Sequence, residues 1–125
     1  MNEKRPQDNR LYKRITSYLY KIGVSPQVMG FAYLREAIRI CSQSGTLRGM
    51  PAKRIYGEIA RDGGSTIVRV ERNIRHAIGS LDDKEKVKKI NGLMGEEVFK
   101  EYEKPTSGKI IYLLADKAAE DIADT

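Results

Sequence analysis

The 125-residue sequence has no tryptophan, one cysteine, one histidine and no long apolar run. The single cysteine, Cys41, excludes a disulfide framework and a cysteine-based metal cluster, and its apolar neighbours favour a buried structural thiol. The single histidine, His76, excludes a metal site built on paired histidines and any catalytic triad that needs a second histidine. We therefore expect no enzyme activity, no metal and no cofactor.

No stretch of the sequence is long and apolar enough to cross a bilayer, and the N-terminal MNEKRPQDNR does not have the pattern of a signal peptide. We therefore expect a cytoplasmic protein without membrane contact. Residues 1–10 are polar and are predicted to be a disordered leader. Residues 11–125 suffice for one domain with one apolar core.

The net charge of +6 is unevenly distributed along the chain. Residues 1–21 hold six basic and two acidic side chains, and residues 51–91 hold ten basic and six acidic ones. Residues 92–125 reverse the balance, with four basic and eight acidic side chains. A regional basic excess favours binding to a polyanion over a general role in solubility.

The spacing of apolar residues predicts six helices and no convincing strand. Their approximate bounds are 11–22, 25–43, 51–62, 65–80, 84–91 and a last helix from about 107 onward. Ser25 and Pro26 are predicted to open the second helix, because serine caps helix starts and proline suits the first helical position. Gly92 is predicted to close the fifth helix, and Thr106 or Ser107 to cap the last.

Residues 51–79 follow the order helix, glycine-containing turn, helix that is typical of a helix-turn-helix. Gly63 and Gly64 would supply the reversal, and Ser65 or Thr66 would cap the second helix, at about 66–79. At about 100° per residue, the apolar residues of this helix gather on one side. The opposite side carries four cationic side chains with a carboxylate at the border: Arg69, Arg72, Arg75, His76 and Glu71.

This basic side has three interpretations: a solvated surface, a docking site for an acidic partner, or a reading surface for nucleic acid. An arginine fork matches guanine O6 and N7 in the major groove, and a carboxylate can accept from cytosine N4. Arginine dominates over lysine, and acidic neighbours are too few to neutralise it. The pattern favours double-stranded DNA over RNA, because a recognition helix cannot enter the narrow A-form major groove.

Four segments resemble, in order, the C-terminal effector domain of the stage-zero sporulation protein A family: GFAYLREAI (30–38), RVERNIRHAI (69–78), KPT (104–106) and ADK (115–117). The resemblance runs from about Ile15 to Ala118. It implies an all-α domain of six helices with a helix-turn-helix, of the winged-helix-like response-regulator effector class but without strands. It also implies a sporulation transcription regulator that recognises the DNA element TGTCGAA and pairs head to tail on tandem sites. Such a protein would associate with the nucleoid when bound to DNA.

The predicted DNA site combines the resemblance with the helical geometry. The resemblance implies base contacts from four residues: Glu71, Arg72, Arg75 and His76. Residues predicted to contact the DNA backbone, or to support the reading helix, are Lys53, Arg54, Ser65, Thr66 and Arg69.

The sequence departs from the family in three places. A short polar leader stands where the family has a receiver domain, so we do not expect control by phosphorylation of the chain's own receiver. Val68 replaces a small polar residue, and the segment after RHAI, where the family engages RNA polymerase, is altered. RNA polymerase and a full-length homologue stay candidate partners. The alternative function is a receiver-less interaction module or antagonist, with an acidic surface on the last helix: Glu120, Asp121 and Asp124.

Overall fold

Apolar side chains recur at helical spacing along most of the chain, and each of these runs forms a helix. The structure is a computed structural model that describes residues 6–43, 51–79 and 84–123. Across those ranges it contains six helices and no strand: α1 Pro6–Ile22, α2 Met29–Gln43, α3 Ala52–Gly63, α4 Ile67–Gly79, α5 Lys84–Met94 and α6 Ser107–Ala123. The predicted all-α, six-helix fold class is confirmed.

The second helix lies at the centre of the fold, because α2 packs against α1, α3, α4 and α6. Its inner side is fully buried at Leu34, Ala37, Ile38 and Cys41. Full burial of a leucine or isoleucine side chain contributes about 1.5–3 kcal/mol to the hydrophobic stabilisation. Cys41 is buried, as predicted, and this burial raises the pKa of its thiol to about 11.

A glycine allows α2 and α4 to approach each other closely. A Cβ atom placed on Gly30 would lie 2.8 Å from the Cβ of Ala77 and closer still to the backbone carbonyl of Asn73. Any other residue at this position would therefore force the two helices apart. The absence of a side chain at Gly30 fixes how deeply α4 sits on the core.

Helix α6 is attached to α1 through a polar contact at the edge of the core. The Tyr18 hydroxyl donates to the Asp121 carboxylate, and the Lys117 ammonium lies 3.4 Å from the same carboxylate. Lys117 also lies over the Tyr18 ring, 5.6 Å from its centroid. These contacts join residues from opposite ends of the sequence.

The segment between α5 and α6 is folded around one asparagine side chain. The Asn91 carbonyl oxygen accepts from the backbone N–H groups of Val98 and Phe99, each at 3.0 Å, and its amide donates to the Phe99 carbonyl at 2.9 Å. These bonds hold the Phe99 ring in the core, where it is 1% exposed. Neither Asn91 nor Phe99 was among the residues for which the sequence predicted a role.

The predicted start of α2 and the predicted end of α5 were wrong. Helix α2 begins at Met29 rather than at Pro26. The Ser25 hydroxyl accepts from the Gln27 N–H, and the Ser25 carbonyl accepts from the Val28 N–H, so these residues form a separate turn before the helix. Helix α5 passes through Gly92 and ends at Met94, since it is Gly95 that adopts a positive φ of 76°.

Helix α1 begins at Pro6, so it includes half of the segment 1–10 that we predicted to be a disordered leader. Proline suits the first position of a helix, because its missing N–H has no intrahelical partner there. Residues 1–5 lie outside the described residues.

Candidate nucleic-acid interface

The turn of the helix-turn-helix is made by the end of α3. Gly64 adopts the left-handed conformation, with φ 64° and ψ 34°, and its N–H donates to the Ala60 carbonyl. The Ser65 N–H donates to the same carbonyl at 2.8 Å. Gly64 is therefore the residue that reverses the chain, while Gly63 is the last residue of α3.

Thr66 caps the start of α4. Its hydroxyl oxygen accepts from the Arg69 N–H at 3.2 Å, and its carbonyl accepts from the Val70 N–H at 3.0 Å. Of the two predicted caps, the structure therefore selects Thr66; Ser65 lies in the turn, half-buried. The exposed Thr66 and the N-terminal end of α4 are also where a phosphate would be favoured, since N–H groups and the helix dipole point outward there.

The inner side of α4 is buried against α2 and α3. Val70, Ile74, Ala77 and Ile78 form this side, each less than 5% exposed. Ile67, at the first position of the helix, is half-buried beside Gly57 of α3. This packing fixes the rotation of α4 about its own axis, and hence which residues face outward.

Six exposed residues share the opposite side of α4, here called the outer face: Val68, Arg69, Glu71, Arg72, Arg75 and His76. Five of them are the charged or cationic residues predicted from the sequence. A guanidinium nitrogen of Arg75 lies 3.4 Å from the Glu71 carboxylate, one helical turn away. Asn73 lies at the margin of this face, and its amide donates to the Arg69 carbonyl at 2.8 Å.

His76 and Arg75 each line a cleft at the end of α4. His76 borders a cleft of about 430 Å³ with Ser25 and Val28. Arg75 borders another, of about 350 Å³, with Lys104 and the start of α6. The position of Lys104 beside this cleft could not be predicted from the KPT motif, since no local pattern places residue 104 near residue 75.

The two remaining predicted residues, Lys53 and Arg54, lie in the first turn of α3. Both are exposed. They belong to a different helix from the outer face.

The described residues contain no group of three histidine, cysteine or acidic side chains placed to hold a metal ion. No helix in the described ranges has the length and apolarity needed to span a membrane.

Two packed helices with a tight turn, the second projecting basic side chains, define the class of helix-turn-helix DNA-binding domains. The family model "Sporulation initiation factor Spo0A C terminal" matches residues 15–118, which is most of the chain. The chain belongs to this family of DNA-binding sporulation regulator domains, which is not a family of enzymes. The family resemblance that the sequence predicted is thus confirmed.

Proposed function

We propose that this domain is a sequence-specific transcription regulator that recognises a TGTCGAA-like element in duplex DNA with α4 in the major groove. The observation that carries the proposal is the outer face of α4, whose cationic side chains are exposed while the inner side of the helix is fixed in the core. A rigidly held helix with a defined outward side can present the same groups to each base pair it meets.

The base-contacting residues in this proposal are Glu71, Arg72, Arg75 and His76. An arginine fork reads guanine O6 and N7, and a carboxylate accepts from cytosine N4. The proposed DNA element contains G·C pairs in both orientations, which the two kinds of side chain can distinguish. The ion pair between Glu71 and Arg75 keeps both groups on one side of the helix, within reach of neighbouring base pairs.

The DNA backbone would be held by groups at the edges of the helix-turn-helix. Thr66 and Ser65 lie at the N-terminal end of α4, where a phosphate is favoured. Lys53, Arg54 and Arg69 add positive charge on the exposed surface of the two helices. To these predicted residues we add Lys104, because it lines the same cleft as Arg75.

The test compares the parent protein with Arg72→Ala and Arg75→Ala in a binding titration on a TGTCGAA duplex and on a shuffled duplex. Each substitution removes an arginine from the reading helix, so we expect specific binding to weaken by about 1–3 kcal/mol. Lys89→Ala is the matched control, because Lys89 is exposed on α5, which packs on α1. Equal affinity of both arginine variants and the parent for the TGTCGAA duplex would contradict the proposal.

Assembly on DNA is a further part of the proposal. Head-to-tail pairing of two copies predicts that a duplex with two tandem elements binds the second copy more tightly than the first. Contact with RNA polymerase would involve the altered segment after Ile78, part of which, residues 80–83, lies outside the described residues. Association with the nucleoid in the cytoplasm would follow from DNA binding.

The alternative is an interaction module or antagonist that pairs with a full-length homologue. Its proposed acidic surface consists of Glu120, Asp121 and Asp124. Of these, Asp121 contacts Tyr18 and Lys117 within the chain, and Asp124 lies outside the described residues. Co-purification with a full-length regulator in the absence of DNA would support this alternative, and a negative pull-down would remove it.

A further inference from the structure

One residue of the outer face of α4 is apolar. The Val68 side chain is 61% exposed, and among the described residues it is the one large exposed apolar side chain within the helix-turn-helix. At about 100° per residue, Val68 lies roughly 20° from Arg75 and roughly 40° from Arg72 around the helix axis. It is therefore aligned with the two arginines that are proposed to read bases.

Packing within the chain does not account for a valine at this position. The buried residues of α4 begin with Val70, on the opposite side of the helix, and Ile67 makes the half-buried contact with α3. A β-branched side chain is also a slightly poorer helix former than alanine. The free protein thus gains little stability from the two Val68 methyl groups.

We propose that Val68 contacts the C5 methyl group of a thymine in the major groove and makes recognition depend on that thymine. This inference rests on the proposed function, because it requires α4 to lie in the groove. Val68 is the second residue of α4, and residues at the N-terminal end of a recognition helix are among those that contact base edges in helix-turn-helix proteins. Valine has no hydrogen-bonding side-chain group, and the thymine methyl is the apolar group that the major groove offers.

The neighbouring contacts restrict where this thymine lies. Thr66 caps the helix two residues earlier, at the end that favours a phosphate, and Arg72 follows one turn later. The thymine therefore lies near the guanine read by Arg72, on the side toward the N-terminal end of α4.

The experiment replaces each thymine of the TGTCGAA duplex in turn, on both strands, by deoxyuridine. This change removes the methyl group and leaves every hydrogen-bonding group in place. For the parent protein we expect one replacement to weaken binding about fourfold, which corresponds to about 0.8 kcal/mol for one buried methyl group. The inference would be overturned if none of the replacements weakened binding by more than twofold.

Two variants assign the effect to a side chain. Val68→Ser removes both methyl groups of the valine and is expected to bind the thymine and deoxyuridine duplexes equally. Thr66→Ser is the matched control: it removes the other exposed methyl group at this end of α4 and keeps the hydroxyl that caps the helix. If Val68→Ser still discriminates, or if Thr66→Ser abolishes discrimination, the methyl contact belongs to another residue and the inference is wrong.

The same titrations separate this inference from the proposed function. If the parent protein prefers TGTCGAA over the shuffled duplex but binds every deoxyuridine duplex as tightly as TGTCGAA, the role of Val68 is contradicted and the proposed function is not. A parent protein without any preference between the two duplexes contradicts both proposals.

Discussion

At the residue scale, the Glu71–Arg75 pair is the feature that distinguishes the outer face of α4 from a purely cationic surface. The two side chains lie 3.4 Å apart and are 50% and 67% exposed. An ion pair this exposed contributes about 0–1 kcal/mol to folding. Under the proposed function we expect the pair to act in binding: a carboxylate among arginines would repel phosphates and weaken binding to DNA of the wrong sequence.

The variant Glu71→Ala tests this role. We expect it to bind the shuffled duplex more tightly than the parent, because one negative charge facing the phosphates is gone. The preference for TGTCGAA should fall by about 1–3 kcal/mol, since no group remains to accept from cytosine N4. Both affinities are measured by titration at one salt concentration. A parallel change in the two affinities would show that Glu71 acts only through its charge.

At the scale of helices, two glycines face α4 from the helices that support it, and the position of α4 depends on one of them. Gly30 of α2 lies against the α4 backbone at Asn73, where no side chain fits. Gly57 of α3 lies near the same helix but has room, since an added Cβ would be 3.7 Å from the Ile67 side chain. The same substitution at the two positions should therefore have opposite effects.

We expect Gly30→Ala to destabilise the fold by about 1–3 kcal/mol, as overpacking does, and to weaken DNA binding by displacing α4. Gly57→Ala should instead stabilise it by about 0.5–1 kcal/mol, because alanine loses less conformational freedom in a helix. Urea unfolding of the two variants and the parent measures both changes. Similar stability of the two variants would mean that α2 and α4 are not in close contact at Gly30.

The sequence predicted α3 and α4 well because their signals are local. Gly64 and Thr66 act within a few residues of their own positions, and the apolar period places the outer face directly. Gly30 and Asn91 could not be interpreted in this way. Each acts on a segment that is distant in sequence or irregular, and only the folded chain brings the partners together.

The same limit applies to the site. The basic residues of α4 share one helix, so their common face followed from spacing alone. Lys104 joins Arg75 through tertiary structure, and the exposure of Val68 became informative only when the inner side of α4 was seen to be filled.

At the scale of the whole molecule, the contact between α1 and α6 closes the fold. Tyr18 donates to Asp121, and this hydrogen bond, with Lys117 nearby, holds the pKa of Asp121 below its ordinary value of 3.8. Burial, followed by the bond to Asp121, raises the pKa of Tyr18. Both shifts favour the pair of neutral tyrosine and ionised aspartate in the folded protein.

These pKa shifts predict how stability changes with pH. The contribution of Asp121 to the stability of the fold is fully present above pH 3.8, and it is lost as the pH falls through the lower pKa that Asp121 has in the folded state. The contribution from Tyr18 is lost as the pH rises above 10, where the unfolded tyrosine ionises.

The variant Asp121→Asn should therefore be less stable than the parent at neutral pH and should lose less stability on acidification below pH 4. Urea unfolding at neutral and acid pH gives both quantities. Glu120→Gln is the control, because Glu120 is exposed on the same helix. If the free energy of unfolding changed with pH in the same way for the parent and for Asp121→Asn, the link between Asp121 and Tyr18 would not stabilise the fold.

A titration of the parent protein with TGTCGAA and shuffled duplexes at two salt concentrations tests whether the outer face of α4 reads a DNA sequence. We expect both affinities to fall as salt rises, while a preference for TGTCGAA on the order of 10³ persists at both concentrations. Affinities that depend on salt but are equal for the two duplexes would contradict this expectation, because they would show contact with phosphates and no reading of bases.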